Sequence, residues 1–117
     1  MKLRILGSKL RFRLTKEEVK LLSEGKQVSE TVIFSIGNQL KYEIRPSENE
    51  IFQSSFKDQI ILIEVPSRHF ENWYEDERIG IYDTDGNIEI SLEKDFQCLH
   101  KRPGEDESDN FPNPAQS

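Results

Sequence analysis

Alternation of apolar and basic residues from Lys2 to Leu14 leaves this chain little choice but to begin as a β-hairpin. Leu3 and Ile5 alternate with Lys2 and Arg4, and Leu10, Phe12 and Leu14 alternate with Lys9, Arg11 and Arg13. A period of two is the strand period. Gly7-Ser8 between the runs suits a two-residue turn with glycine at its first central position. That register sets Ile5 opposite Leu10 and Leu3 opposite Phe12. It also gathers Lys2, Arg4, Lys9, Arg11 and Arg13 on the other face, with no acid among them.

A helix follows at about 15–24. Thr15 and Glu18 have capping-box spacing, Val19, Leu21 and Leu22 form the apolar side, and Gly25 stands where a C-terminal cap belongs. A second hairpin joins Val28–Ile36 to Leu40–Arg45. A three-residue loop, Gly37-Asn38-Gln39, pairs Ile36 with Leu40, Phe34 with Tyr42 and Val32 with Ile44, keeping apolar against apolar. Ser47 and Glu50 repeat the capping-box spacing and predict a short helical segment with Ile51, Phe52 and Phe56. Ile60–Val65 is the longest apolar run and reads as the most buried strand. Arg68–Glu77 reads as another short helix turning Phe70, Trp73 and Tyr74 inward. Ile79–Tyr82 and Asn87–Leu92 form a last hairpin around Asp83-Thr84-Asp85-Gly86. The expected fold is α+β: one twisted, mostly antiparallel sheet of about six or seven strands, with the helix at about 15–24 and one or two short helices packed on it. Residues 1–100 form a single domain and 101–117 an acidic, proline-rich tail. No internal repeat is visible in the sequence.

The charge balance narrows the function classes. The chain of 117 residues carries 22 acids and 16 bases, a net charge of −6. A general nucleic-acid binder shows the opposite excess. No apolar run approaches a membrane span, and no secretory signal opens the chain, so a soluble cytoplasmic protein is expected. One cysteine, Cys98, excludes an intrachain disulfide.

Against that acidic background the hairpin's cations stand out. Removing these five of the 16 bases leaves eleven against 22 acids. Like charges on neighbouring strands repel, and Arg4 directly opposite Arg11 is unfavourable. The face therefore needs a negative counterpart. Acids elsewhere in the fold offer one, with Glu43, Glu64, Glu89 and Glu93 or the tail as candidates, and the acid excess favours this account. The functional account is a small anionic ligand or an acidic segment of a protein partner, gripped through Arg4, Arg11 and Arg13 with Lys2 and Lys9 beside them. In the tail, Glu105, Asp106, Glu107 and Asp109 precede Phe111 in an extended proline-rich frame, a segment suited to docking on a basic groove. Oligomeric state is left open.

Metal and enzyme chemistry have thinner support. Cys98 and His100 point to one side of an extended chain and are soft enough for zinc or copper. A closed zinc site needs four ligands, and only His69 and carboxylates remain to complete it. Cys98 with either histidine would make a nucleophile and base, but nothing in the spacing brings them together. No phosphate-binding loop and no dinucleotide glycine pattern occur. Asp83-Thr84-Asp85-Gly86-Asn87-Ile88 matches the middle of a calcium loop, but Ile81 and Leu92 then fill positions that require acids, so a hairpin turn is the better account. No cofactor is implied.

Two terminal strings are familiar together. Met1-Lys2-Leu3-Arg4-Ile5-Leu6-Gly7 with Leu10-Arg11-Phe12-Arg13-Leu14-Thr15 opens the chain. Glu93-Lys94-Asp95-Phe96-Gln97-Cys98-Leu99-His100 follows near its end, with Glu105-Asp106-Glu107 and Phe111-Pro112-Asn113-Pro114. Over nearly its full length the chain resembles a family of small uncharacterised bacterial proteins, a domain of unknown function. The resemblance implies a bacterial cytoplasmic origin and transfers no catalytic residue. A mixed strip of Arg4, Arg11, Arg13, Glu43, Glu89 and Glu93 is also similar to the lining of triphosphate-tunnel enzymes, which implies a metal-dependent phosphoanhydride or phosphoester hydrolase as the alternative. The Glu-x-Glu-x-Lys signature of that group is missing. A non-enzymatic binding or accessory protein is the primary expectation.

Overall fold

The computed structural model describes residues 1–96 and Phe111. Eight strands form two four-stranded sheets rather than one sheet of six or seven. Strands β1 (Lys2–Leu6), β2 (Lys9–Leu14), β7 (Gly80–Asp85) and β8 (Ile88–Lys94) make the first, in the order β1-β2-β8-β7. Strands β3 (Val28–Ser35), β4 (Asn38–Ser47), β5 (Gln53–Lys57) and β6 (Ile60–Pro66) make the second, in the order β3-β4-β6-β5. The outer pairs are antiparallel hairpins, and the central pairs, β2 with β8 and β4 with β6, are parallel.

The opening hairpin has the register its alternation dictates, with Leu3 opposite Phe12, Arg4 opposite Arg11 and Ile5 opposite Leu10. Gly7 takes φ +57, a left-handed conformation that glycine adopts without a Cβ penalty. Helix α1 (Lys16–Ser23) carries the expected capping box. The Glu18 N–H donates to Thr15 Oγ1 at 3.3 Å, and the Thr15 N–H donates to Glu18 Oε1 at 2.9 Å. At its far end the Lys26 N–H reaches the Leu21 carbonyl at 2.9 Å and the Gly25 N–H reaches Leu22 at 3.1 Å, with Gly25 at φ +84. That is the pair of closing bonds a glycine cap makes.

Elsewhere the structure corrects the sequence. In the second hairpin Val32 faces Leu40, Glu30 faces Tyr42 and Val28 faces Ile44. The turn falls at Ile36-Gly37, with Ser35 opposite Asn38, which moves the pairing three positions, and a bulge at Phe34 adds a fourth; Phe34 and Ile36 are left exposed. The segment after Ser47 is no helix. Gln53–Lys57 is strand β5, whose turn, Asp58-Gln59, places both residues at positive φ (53 and 66). The stretch after Pro66 shortens to a 3₁₀ turn, Ser67–Phe70, burying Phe70 and Trp73 but leaving Tyr74 39% exposed. In the last hairpin Asp83-Thr84-Asp85 continue strand β7, and the turn falls at Gly86-Asn87. Strand β6 is half buried along Ile60–Leu62, with Ile63 and Val65 fully buried.

A repeat absent from the sequence is present in the topology. Hairpin β1β2, helix α1 and hairpin β3β4 are followed by hairpin β5β6, the 3₁₀ turn and hairpin β7β8. Each sheet combines the first hairpin of one unit with the second hairpin of the other. Matching bonds join them: the Glu89 N–H donates to the Ser8 carbonyl and the Lys41 N–H to the Gln59 carbonyl, both at 2.9 Å.

The sheets face each other through Phe12, Leu14, Ile90 and Leu92 on one side and Ile44, Ile63 and Val65 on the other. Val19 and Leu22 of α1, with Phe52, Phe70 and Trp73, complete the core. Asp85 ties the sheets together, its Oδ2 accepting from the Ser54 N–H at 2.7 Å and the Ser54 hydroxyl at 2.8 Å. These two bonds hold its carboxyl below the usual carboxylate range. Helix and 3₁₀ turn follow the C-terminal ends of β2 and β6, so the core is thickest there.

Candidate binding site at the hairpin tips

All four hairpins turn at the end of the sandwich remote from α1, because β2, β8, β4 and β6 all start there. Near those starts Leu10 and Ile88 of one sheet face Leu40, Phe56 and Ile61 of the other across an apolar cleft of about 470 Å³, with Ser54 and Ser55 beside them. Each side chain lies on an inward position of its strand, yet Phe56 is 70% exposed. Helix α1 and the 3₁₀ turn lie at the other end of the sandwich, so no helix among the described residues covers the cleft. Other exposed apolar side chains, Ile5, Leu6, Phe34 and Ile36, occupy the ends of the strands or turns on the same side.

The basic strip lies on the opposite, outer face of the first sheet. Arg4, Leu6, Lys9, Leu10, Arg11, Glu89 and Ser91 line a groove of about 440 Å³ in the first sheet, and Leu10 belongs to both cavities. The structure places all five expected cations on one face and exposes them. It also supplies part of their counterpart, because the parallel β8 runs beside β2 with its own outward acids. Lys9 lies 3.7 Å from Glu89 and Arg11 lies 3.2 Å from Glu93. Lys2 pairs with Asp95 at 3.2 Å, an acid the sequence reading had not singled out. Arg4 and Arg13 have no acid within 4 Å among the described residues. Glu43 and Glu64 belong to the second sheet, where Glu43, almost fully buried, meets Lys41 at 3.2 Å and Arg45 at 2.7 Å. The mixed strip proposed by analogy with triphosphate tunnels is therefore divided between two open sheets.

Local packing fixes the acids. The Tyr82 hydroxyl donates to Glu93 Oε2 at 2.8 Å, and burial, reinforced by that carboxylate, raises the Tyr82 hydroxyl above its ordinary pKa. Tyr82 lies over Gly80, where an added Cβ would stand 2.5 Å from the Tyr82 hydroxyl and 2.9 Å from the Leu92 carbonyl. The absence of a side chain at Gly80 thus lets Tyr82 fold back to hold Glu93, and Glu93 in turn aligns Arg11.

The remaining expected site residues divide in two. Cys98, His100, Glu105, Asp106, Glu107 and Asp109 lie outside the described residues. Phe111 is buried at the far end of β8, where its N–H donates to the Asp95 carbonyl at 2.8 Å and its backbone bridges Phe96. Its ring packs against Phe96 and Tyr74 and covers the Lys94 ammonium at 5.2 Å. Burial pushes the Lys94 amine below its ordinary pKa although Asp76 stands nearby, and the ammonium donates to the Asp76 carbonyl at 2.7 Å. His69 sits edge-on to Phe52 at 5.2 Å with its Nε2 buried and unpartnered; burial and the Arg68 charge lower its pKa. Among the described residues, no three histidine, cysteine or acidic side chains converge as metal ligands, and no helix is long and apolar enough to cross a membrane.

The cleft residues were missed as a site because their alternation reads as core. The detectable signal was position: Leu10, Leu40, Phe56, Ile61 and Ile88 each lie within three residues of a hairpin turn, at the end of the sandwich that the helix does not cover. No curated protein and no solved structure matches the chain. A family model matches residues 1–115, and the chain belongs to that family, the family of unknown function DUF7009.

Proposed function

We propose that this protein is a non-enzymatic binding module that takes an acidic segment of a protein partner at its hairpin tips. Apolar side chains of the segment enter the cleft at Leu10, Leu40, Phe56, Ile61 and Ile88, and its carboxylates meet Arg4, Lys9 and Arg11. The observation carrying this reading is that Leu10 lines both cavities: an apolar cleft on the inner face of the first sheet and a basic groove on its outer face approach each other around the β1β2 tip. Small-molecule sites enclose most of their ligand, whereas this cleft is open and continues onto exposed apolar tips, a geometry suited to a polypeptide. Among the described residues Arg4 has no acid within 4 Å to release before binding, which makes it the best placed anchor.

Selection from a random-peptide library tests this. Enriched peptides should combine acids with bulky apolar residues, and Arg4→Glu or Phe56→Ser should weaken the selected peptide by about tenfold or more, the equivalent of ~1.4 kcal/mol. Enrichment without acids, or full affinity in both variants, would overturn the reading.

A further inference from the structure

The four edge strands are not equally protected. Natural sheets guard their edges with charge, proline or brevity, because an open edge is a template for another strand. Strand β1 carries Lys2 and Arg4, β7 carries Asp83 and Asp85, and β5 has five residues ending in Lys57. Strand β3 has eight residues and one charge, Glu30, whose carboxylate lies 3.5 Å from the terminal ammonium of Met1. From Thr31 to Ile36 there is no charge at all in a chain that is 32% charged. Val32, Ile33, Phe34 and Ile36 are exposed there, Ile33 at 74% and Ile36 completely.

We propose that β3 is a self-association edge, along which two copies of this chain join their β3 strands antiparallel across a two-fold axis and extend the second sheet to eight strands. Complementarity selects a second copy over the acidic partner of the hairpin tips. Thr31–Ile36 offers no cation to a carboxylate, but it matches another uncharged strand of the same pattern. Pairing centred on Val32 sets Thr31 opposite Ile33 of the second copy and each Glu30 opposite Phe34, so that the two Glu30 carboxylates stand on either side of the axis and do not face each other. A two-fold contact of this kind is closed, since each copy uses up its own open edge.

Light scattering and sedimentation of the full-length chain over a concentration series test the proposal. The mass should rise towards twice 13.7 kDa, and β3 amides should gain hydrogen-exchange protection over the same range. Ile33→Lys should weaken the association by about tenfold or more, as should Phe34→Lys, a second variant in case the first fails to fold. Ile51→Lys, at another exposed apolar site between β4 and β5, should leave it intact. A wild-type chain that stays monomeric throughout would overturn the proposal. So would association that survives both β3 substitutions, or association lost in Phe56→Ser and kept in Ile33→Lys, which would move the contact to the cleft.

Discussion

Phe111 and Phe56 are the same residue type in opposite settings, and replacing each with alanine gives a direct measure of what the fold does with them. Phe111 is 8% exposed, Phe56 70%. Truncating a phenylalanine in a closed core costs about 3–5 kcal/mol, part of it from the cavity left behind. Around Phe111 the neighbours Tyr74 and Phe96 are themselves partly exposed, so the space opens to water and the cavity contribution falls away. What remains is the transfer of the ring, ~2–3 kcal/mol, including its cover over the Lys94 ammonium. Unfolding entropy for a chain of this length corresponds to about 0.25 kcal/mol per degree. Phe111→Ala should therefore lower the melting temperature by about 8–12 °C, while Phe56→Ala should move it by less than about 2 °C. Thermal unfolding followed by circular dichroism reads both. Equal shifts in the two variants would refute the reasoning, because they would mean that Phe111 does not pack on the body in solution. Exposure of Lys94 gives an independent check: in Phe111→Ala its amine should titrate closer to the ordinary lysine value, since burial is what depresses it.

Two other substitutions probe the framework of the site. Gly80→Ala forces its methyl group against Tyr82 and the Leu92 carbonyl; the expected cost is ~1–3 kcal/mol, read by urea unfolding, with Tyr82 displaced from Glu93 in the nuclear Overhauser pattern. Asp85 has a depressed folded-state pKa, so its contribution to stability is present above its unfolded value of 3.8 and is lost as pH falls through the lower folded value. Asp85→Asn should destabilise the protein at neutral pH and flatten the acid limb of its stability curve below about pH 4; an unchanged acid limb would contradict the inter-sheet clamp.

The parts of the fold legible in the sequence were those fixed by neighbours in the chain. Alternation around Gly7-Ser8 determined the first register, and Thr15, Glu18 and Gly25 determined the helix ends. The second hairpin is displaced chiefly because its turn falls at Ile36-Gly37 and leaves Ile36 in the loop rather than paired, and the bulge at Phe34, which leaves no fixed residue signature, adds one position more. Ser47 and Glu50 have capping-box spacing, but the Asn49 N–H takes the Ser47 hydroxyl instead, and the chain goes on to a strand. The parallel pairings of β2 with β8 and β4 with β6 depend on residues far apart in sequence, which no local pattern encodes. For the same reason Glu89 and Glu93 could be named as partners for the basic strip only as two among four. The cleft was hidden because inward-facing residues look alike whether the space between the sheets is filled or left open.

The basic strip therefore acquires a sharper meaning from the fold. Three of its cations are paired with acids on or just beyond β8, Arg4 lines the groove with no acidic partner among the described residues, and an apolar cleft opens on the inner face of the same sheet. Amide chemical-shift mapping with 1-anilinonaphthalene-8-sulfonate, an apolar anion matching both surfaces, tests that combination most directly. The account predicts saturable shifts centred on Leu10, Leu40, Ile61 and Ile88 together with Arg4, Lys9 and Arg11, reduced in Arg4→Glu. Shifts confined to other surfaces, or identical shifts in the variant, would contradict it.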